Sequence, residues 1–476
     1  MTDTGLPVDR LPHAPGRLPI LGDLASVDRH RPTQHELELS RSLGQIFGRK
    51  ILASRVIVVA GAALATQACD ERYWARCLAG PGEVLREIVP TGLFTAKSRD
   101  PLWGKAHRIL TPGFTQGAMR TYHEAMATVA DDLEAEWDKA AGGRIDVHAS
   151  MTAATLEVIA RAGFGTRFGL LGAAPAQAEQ AQWFVEALAR ILRWASDQTN
   201  DLPIVGAIRT RWQAPRVNRD IGAARKYVQN LITERRASGR TDTDDLLGLM
   251  LTSLDPETGE GLPDNNIADQ VLTFLVAGHE TTAALLEAAL HYLAADPALQ
   301  QRLRAGIESR GGFGYDEVAG MRDIRNVLSE TLRLHPPVPG LFRVAREDRI
   351  LGGYRIPQGQ AVFVLSLAAH RDRQVWGEDA DIFDADRFTA TRRRAHPDAW
   401  WRPFGAGPRA CIGMAFALHE ATLLLARILH SYDLALPVGA QAHPVGAQAR
   451  DAGSGLRLYE RGSLRPEPYE LIATHR

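Results

Sequence analysis

Apolar residues recur three and four positions apart along most of this chain, the spacing that puts them on one face of a helix. Stretches with that period cover Gln116–Ala141, Ser150–Gly163, Gln177–Ala195, Pro215–Ser238 and Pro297–Arg310, and each predicts an amphipathic helix. A longer, more apolar run extends from Asp264 to Ala295. Asp264 follows Pro263 and reads as its N-cap, and Asp296-Pro297 stops it. Another apolar helix begins at Met414 and runs to about Leu429, with Phe416, Leu423, Leu424, Ile428 and Leu429 on its buried side. Alternation with period two is scarce. Arg49–Val59 carries a β-branched alternating run, Arg349–Ile356 reads as a hairpin on Gly352-Gly353, and Gln360–Leu365 follows the Pro357-Gln358-Gly359 turn as a strand. Helices far outnumber strands, and the strands gather at the two ends. The pattern predicts a mainly α body with small β-sheets.

Two segments break it. Gly239–Gly261 is largely polar and reads as a link between helices. Pro437–Ala442 recurs as Pro444–Ala449, a repeat short and turn-rich enough to predict a loop and not a solenoid.

Composition narrows the picture little. The chain has 476 residues, enough for a large core, and its formal net charge of −1 points to neither a nucleic-acid nor a membrane-surface partner. The three cysteines are Cys69, Cys77 and Cys411, too few and too irregular for a disulfide framework, so a reducing compartment is expected. The first residues carry no apolar signal core and no twenty-residue span. A cytoplasmic protein without a membrane anchor is the expectation.

The chemistry concentrates around Cys411. Phe404-Gly405-Ala406-Gly407-Pro408-Arg409-Ala410-Cys411-Ile412-Gly413 sets one thiol in a glycine-rich loop at the foot of the Met414 helix. Free N–H groups and the positive dipole end favour a thiolate there. Thiolate is one of the known axial ligands of haem iron. Gly405, Gly407 and Gly413 let the backbone turn and a flat cofactor approach. Phe404 shields the sulfur, and Arg409 offers charge to a carboxylate. A lone buried cysteine is ordinarily a small hydrophobe; here the whole loop agrees with the metal reading. A dinucleotide fingerprint has different glycine spacing and needs a preceding strand.

A second group lies in the Asp264–Ala295 run, where Gly278-His279-Glu280-Thr281-Thr282 interrupts an apolar sequence. An acid and an alcohol at mid-core are costly unless something uses or satisfies them. Ala277 and Thr281 stand four apart on one face, a small residue and a hydroxyl with room between them. A packing threonine, bonded back to the i−4 carbonyl, is the plainer reading. A third group is Glu330 and Arg333, an i, i+3 pair ordinarily found on a solvated helix face.

The Phe-x-x-Gly-x-Arg-x-Cys-x-Gly loop, together with Ala277–Thr282 and Glu330-x-x-Arg333, resembles the cytochrome P-450 haem-thiolate monooxygenases. The likeness spans roughly Leu18 to Leu458. It implies the fold of that family, a helical body around a buried haem b, as a single domain over 18–460 with a proline-rich extension at 1–17 and a tail at 461–476. It implies Cys411 as iron ligand; Trp103, His107, Arg343 and Arg409 on the haem propionates; Phe404, Gly413 and Ala277 against the ring. Thr281 and Glu280 become the proton relay, and His279 a packing residue. Glu330, Arg333 and Arg387, the last in Phe383–Phe388, become a buried structural network, although Ala385 replaces the usual proline. Ile88, Val89, Phe94 and Ala277 become the substrate pocket.

The likeness is greatest to the haem domain of bacterial self-sufficient fatty-acid hydroxylases, through Gly92–Thr95, Trp103–Phe114, Ala277–Thr282 and Arg409–Thr422. Only a few dozen residues follow the haem loop, so electrons are expected from a separate ferredoxin or flavodoxin with its reductase, docking on a rim that includes Lys105 and Arg108. Those hydroxylases hold a fatty-acid carboxylate with an arginine and a tyrosine, where this chain places Ser54 and Val58. The expected reaction is insertion of one oxygen atom from dioxygen into a C–H or C=C bond of an apolar small molecule, free or carrier-bound. A peroxide-driven hydroxylase and a haem carrier or gas sensor are the rivals; the Glu280-Thr281 pair argues against both.

Overall fold

The computed structural model describes residues 5–52, 54–140, 142–172, 175–200, 203–241, 243–395, 400–437 and 455–476. Beyond Pro437, the expected Pro437–Ala442 and Pro444–Ala449 repeat lies outside them.

The architecture follows from one helix. Asp264–Ala295 is 32 residues long, about 48 Å at the α-helical rise, and is apolar nearly all round. Such a helix must be covered on every side. Val147–Val158, Pro203–Ala237, Arg322–Leu334, Met414–Ser431 and a C-terminal hairpin all pack on it. Its Leu275, Leu286, Leu290 and Leu293 have no exposure, so truncating any one to alanine costs about 2–5 kcal/mol. Pro263, not Asp264, is the N-cap. Asp264 is the first helical residue, still favourable to the dipole, and pairs with Arg236 at 2.6 Å.

Helix boundaries shift where periodicity is weak. The helix expected from Pro215 begins at Pro203, with Pro215 inside it. The Ser150–Gly163 stretch is an α-helix, Val147–Val158, that widens into a π turn over Ile159–Gly163. The polar link Gly239–Gly261 contains a helix, Leu246–Thr252, capped by Asp245 through the Gly248 N–H. It buries Leu246, Leu247 and Met250. Seven residues between polar flanks are too few for the helical period to stand out.

Most strands lie to one side. Arg49–Val59 divides into Ile46–Ile51 and Ser54–Val59, an antiparallel pair. A five-stranded sheet runs in the order Ile46–Ile51, Ser54–Val59, Ala361–Val364, Leu341–Ala345, Trp74–Arg76. The Gly352-Gly353 hairpin forms as expected, both glycines at positive φ of 59° and 83°. The boundary expected at residue 460 falls inside a second hairpin, Leu458–Arg461 with Ser463–Pro466. Glu470–His475 then pairs with both Tyr432–Ala435 and Arg144–Asp146. At the other end Leu6–Pro7 pairs with Tyr354–Arg355. Residues on both sides of the expected 1–17 and 461–476 limits therefore join the body through backbone hydrogen bonds. Among the described residues, no helix is long and apolar enough to cross a membrane.

Candidate active site

The cysteine loop is built from its glycines. Gly405 and Gly407 take φ of 76° and 71°, the left-handed region that a side chain resists. They turn the chain so that the Cys411 N–H reaches the Phe404 carbonyl at 2.8 Å. Gly413 then caps Met414–Ser431, placing Cys411 ahead of the helix's free N–H groups. Cys411 keeps open surface while Phe404 is half-buried beside it. Without a bound cation, desolvation of the sulfur pushes the thiol pKa up and the Gly413 N–H pulls it down. A cation bound at the sulfur would favour the thiolate.

The middle of the central helix opens. Residues on either side are buried, but Ala277 is exposed and Val276, Gly278, Glu280 and Thr281 are half-buried. Thr281 Oγ1 donates to the Ala277 carbonyl at 2.8 Å, and Thr155 Oγ1 donates to the His279 carbonyl at 2.9 Å. His279 itself bonds through Nδ1 to the Leu275 carbonyl and is buried, with its pKa lowered to about 4 by desolvation; it is a neutral packing residue. The opening and the cysteine loop share one edge. Phe114 stands 5.7 Å from the Phe274 ring and 3.8 Å from where a Gly413 Cβ would lie. Glu420, a buried acid of the Met414 helix that sequence reading missed, bonds to the Thr282 side chain. The Glu280 carboxyl turns to the C-terminal hairpin, where Ser463 Oγ donates to its Oε1 at 2.9 Å. Burial raises its pKa; Arg465 and the Ser463 bond oppose the rise.

Cations gather next to the loop. Arg409 donates to the carbonyls of Leu93 and Ala96, both at 2.9 Å, and stacks 4.5 Å over Trp103. Trp103 and His107 share a face of Pro101–Leu110, their rings 5.1 Å apart. Arg343 pairs with Glu71 at 2.6 Å, donates to the Ala406 carbonyl, and leaves its buried Nε without a partner. Arg76, which sequence reading missed, donates to the Phe94 carbonyl at 2.6 Å. Arg86 pairs with Glu83 at 2.7 Å. Desolvation first, then repulsion from Arg343 and Arg86, lowers the Arg76 pKa to about 10. Desolvation, with Arg76 and Arg86 behind it, lowers that of Arg409 to about 9. Arg343 and Arg346 share Glu71, Arg86 takes Glu83, and Arg76 and Arg409 bind only carbonyls, so positive charge exceeds negative around the loop. Arg76 carries no signal in sequence, being one arginine on a three-residue strand.

A second arginine cluster holds the loop's far end. Arg333 binds Glu330 in a two-pronged pair at 2.7 and 2.8 Å, and Arg387 reaches the same carboxylate at 3.1 Å. Arg333 also donates to the His370 carbonyl at 3.0 Å; the His370 ring accepts the Arg402 N–H at 3.0 Å. Trp401 Nε1 donates to the Ser329 carbonyl at 3.2 Å. The segment leading into Phe404 is thereby fastened to the Arg322–Leu334 helix.

The remaining expectations divide. Phe94 is 45 % exposed, with the Arg76 guanidinium 5.3 Å from its ring, and Ala277 is open. Ile88 and Val89, expected to line a pocket, are buried at 9 % and 8 % in the main core, where apolar packing claims both. Their segment is tied down by Thr91, whose N–H and hydroxyl both reach Asp269. Lys105 and Arg108 are not a free rim. Lys105 pairs with Glu260 at 2.5 Å, and Arg108 with Asp255 at 2.6 Å and Glu257 at 3.0 Å.

The family model described as Cytochrome P450 matches residues 12–449. A bifunctional cytochrome P450/NADPH–P450 reductase of Bacillus cereus is 36 % identical over 424 residues, covering 87 % of this chain and 39 % of its own. A similarly named protein of Bacillus subtilis is 37 % identical over 419 residues, with 87 % and 39 % covered. A self-sufficient cytochrome P450 monooxygenase of Aspergillus kawachii is 33 % identical over 473 residues, with 98 % and 43 % covered. The chain spans about two fifths of the length of these curated relatives.

Proposed function

Because this chain belongs to the cytochrome P450 family, we propose that it is a haem-thiolate monooxygenase. In this reading it inserts one oxygen atom of dioxygen into a C–H or C=C bond of an apolar substrate, using electrons from a separate redox partner. One observation carries it: a cluster with cations in excess surrounds the loop that presents a lone thiol. The family's cofactor is haem b, and the residues present fit it. Its two propionates would take up positive charge there, and Arg343 Nε, buried without a hydrogen-bond partner among the described residues, would be a donor for one of them.

When bound, the haem supplies the dioxygen chemistry. The chain supplies the rest. Cys411 Sγ would hold the iron, with the Gly413 N–H as its hydrogen-bond donor. Arg76, Arg343 and Arg409, with Trp103 and His107, would hold the propionates. Ala277, small and open, leaves space on the central helix. Thr281 Oγ1 gives its hydrogen to the Ala277 carbonyl as it stands and would turn its hydroxyl toward that face to pass a proton, which the half-buried Glu280 carboxyl would resupply; a relay of this kind works only where water is otherwise kept out. Glu330, Arg333 and Arg387 keep the loop in place and take no part in the chemistry.

The relatives' names join a P450 and a reductase in one protein, while the matched part here is the P450 part. A ferredoxin or flavodoxin with its reductase is the partner class proposed. The substrate is an apolar compound, free or carrier-bound. Val58 is buried in the five-stranded sheet and Arg55 is taken up by Asp9, so neither offers a carboxylate site.

The reduced, carbon-monoxide-bound protein tests the reading. It should show the red-shifted band of thiolate-ligated haem, and Cys411→Ser should abolish it. Thr281→Ala should keep the band but divert reduced nicotinamide to peroxide when a partner and a substrate are supplied. A Cys411→Ser protein with the parent spectrum would overturn the ligand assignment; unchanged coupling in Thr281→Ala would remove that residue from proton delivery.

A further inference from the structure

The tip of the C-terminal hairpin reaches the middle of the central helix. Its strands turn at Gly462, at φ +91°. A Cβ there would lie 3.5 Å from Glu280 Oε1 and 3.7 Å from Oε2, so the carboxyl group rests against the turn. The next residue, Ser463, is 5 % exposed and donates its hydroxyl to Oε1 at 2.9 Å.

This tip is not free to drift. Glu460 accepts the N–H groups of Thr33 and Gln34 at 2.9 and 3.0 Å, capping the Pro32–Leu43 helix from outside. On the other strand, Arg465 binds both oxygens of Glu287 through Nε at 3.1 and 2.9 Å, and its Nη2 donates to Thr152 Oγ1 at 2.6 Å. Glu287 lies seven residues beyond Glu280 on the central helix, two turns along the same face. The hairpin is thus anchored to the helix that carries Glu280 and to two other helices, Val147–Val158 and Pro32–Leu43. An exposed serine on a loose loop could not fix an acid; a buried one between two anchors can.

We propose that Ser463 is the positioning residue for Glu280. Its hydroxyl, given to Oε1, fixes the carboxyl orientation and leaves Oε2 as the oxygen that carries the transferable proton. This rests on the proton-supplying role given to Glu280 above. The consequence is electrostatic as well as geometric. Four charged or titratable groups face Glu280: Arg465 on the hairpin and His148 on the Val147–Val158 helix favour its anion, Glu287 on the central helix opposes it, and Tyr459 on the hairpin has its own pKa raised by burial first and by Glu280 among its charged neighbours. Ser463 adds a hydrogen bond to the charged form, so its removal raises the carboxyl pKa further.

The test uses Ser463→Ala, Ser463→Thr, Glu280→Gln and the Glu280→Gln/Ser463→Ala double variant of the full chain. Infrared titration, with Glu280→Gln as the blank that identifies the carboxyl band, reads the orientation directly. Ser463→Ala should raise the midpoint and Ser463→Thr should restore it. In the haem-loaded protein with a reconstituted partner, Ser463→Ala should raise peroxide formed per reduced nicotinamide by about tenfold or more, the worth of one hydrogen bond to a charged group. The carbon-monoxide band should be unchanged, and the substitution should add nothing in the Glu280→Gln background. A midpoint that does not move, or an equal effect in the Glu280→Gln background, would overturn the proposal. A shifted midpoint with coupling untouched by Glu280→Gln supports Ser463 as positioning residue and sinks the relay role of Glu280.

Discussion

Two arginine clusters lie within this molecule, and they differ in what they leave over. Around Glu330, Arg333 and Arg387, exposure is 0 %, 0 % and 5 %, every charge has a partner, and the remaining donors go to the carbonyls of His370, Ala380 and Ile382. Around Arg409, Arg343 and Arg346 share Glu71, Arg86 takes Glu83, Arg76 and Arg409 have only carbonyl partners, Arg343 Nε has none among the described residues, and the pKa values of Arg76 and Arg409 fall to about 10 and 9. Folding alone explains the first cluster, because each group was desolvated against a partner formed by the fold. It does not explain the second, which carries unrelieved repulsion. Arginines held together at a cost mark the place where an anion completes the structure.

Breaking the closed cluster should have the largest effect. Glu330→Ala strands the buried Arg333 guanidinium and leaves Arg387 with Asp379 as its one carboxylate, and removing one partner of a buried pair costs about 3–5 kcal/mol. Chemical denaturation of the haem-free protein should show that loss in full, since no ligand is involved. A Glu330→Ala protein as stable as the parent would erase the distinction between the clusters.

The open cluster should answer differently. Arg409→Gln and Arg76→Gln each remove repulsion from the haem-free fold, so its stability should hold or rise. Haem affinity should fall about tenfold or more for each, the worth of a hydrogen bond to a charged group. Transfer of haem to an acceptor protein measures this. The pH dependence has a definite sign. An unfolded arginine keeps its proton well above the pH at which folded Arg409, at about 9, begins to lose it, so in that alkaline window the unfolded chain binds more protons. Stability contributed by this group therefore rises with pH in that window. The advantage of Arg409→Gln over the parent in haem-free protein should be largest below about pH 9, shrink above it, and vanish once haem is bound.

The same contrast explains what the sequence made legible. Glu330 and Arg333 stand three apart on one helix, and Cys411 sits within ten residues of the glycines that shape its loop; local spacing carries both. Arg387 was readable only through a motif. Arg76 and Ser463 reach the site from a three-residue strand and a hairpin tip, where a single polar residue has no periodicity to mark it. The Leu246–Thr252 helix was hidden in a segment judged by its polar average. What sequence concealed was mostly pairing across long chain separations, in which neither partner is unusual by itself.

Lys105 and Arg108 give the smallest predicted effect and the sharpest check on that lesson. Read alone, they look like cations free to steer an acidic redox partner. In the fold they spend their charge on Glu260, Asp255 and Glu257, a segment about 150 residues away in the chain. Arg108 is the main reason the Asp255 carboxyl lies well below its usual range, ahead of Thr258 and the Glu257 N–H. Opposite charges at a docking rim act mainly on the association rate, and only if they are not already neutralised. Charge reversal at Lys105 and Arg108 should therefore change the rate of reduction by a partner, and its salt dependence, by less than about twofold. It should instead release the Asp255 carboxyl toward its ordinary pKa, read by nuclear magnetic resonance titration, and expose the 255–260 segment to proteolysis. A large fall in reduction rate with Asp255 unmoved would mean that these two cations belong with the open cluster around Arg409, awaiting a partner, and not with the closed one.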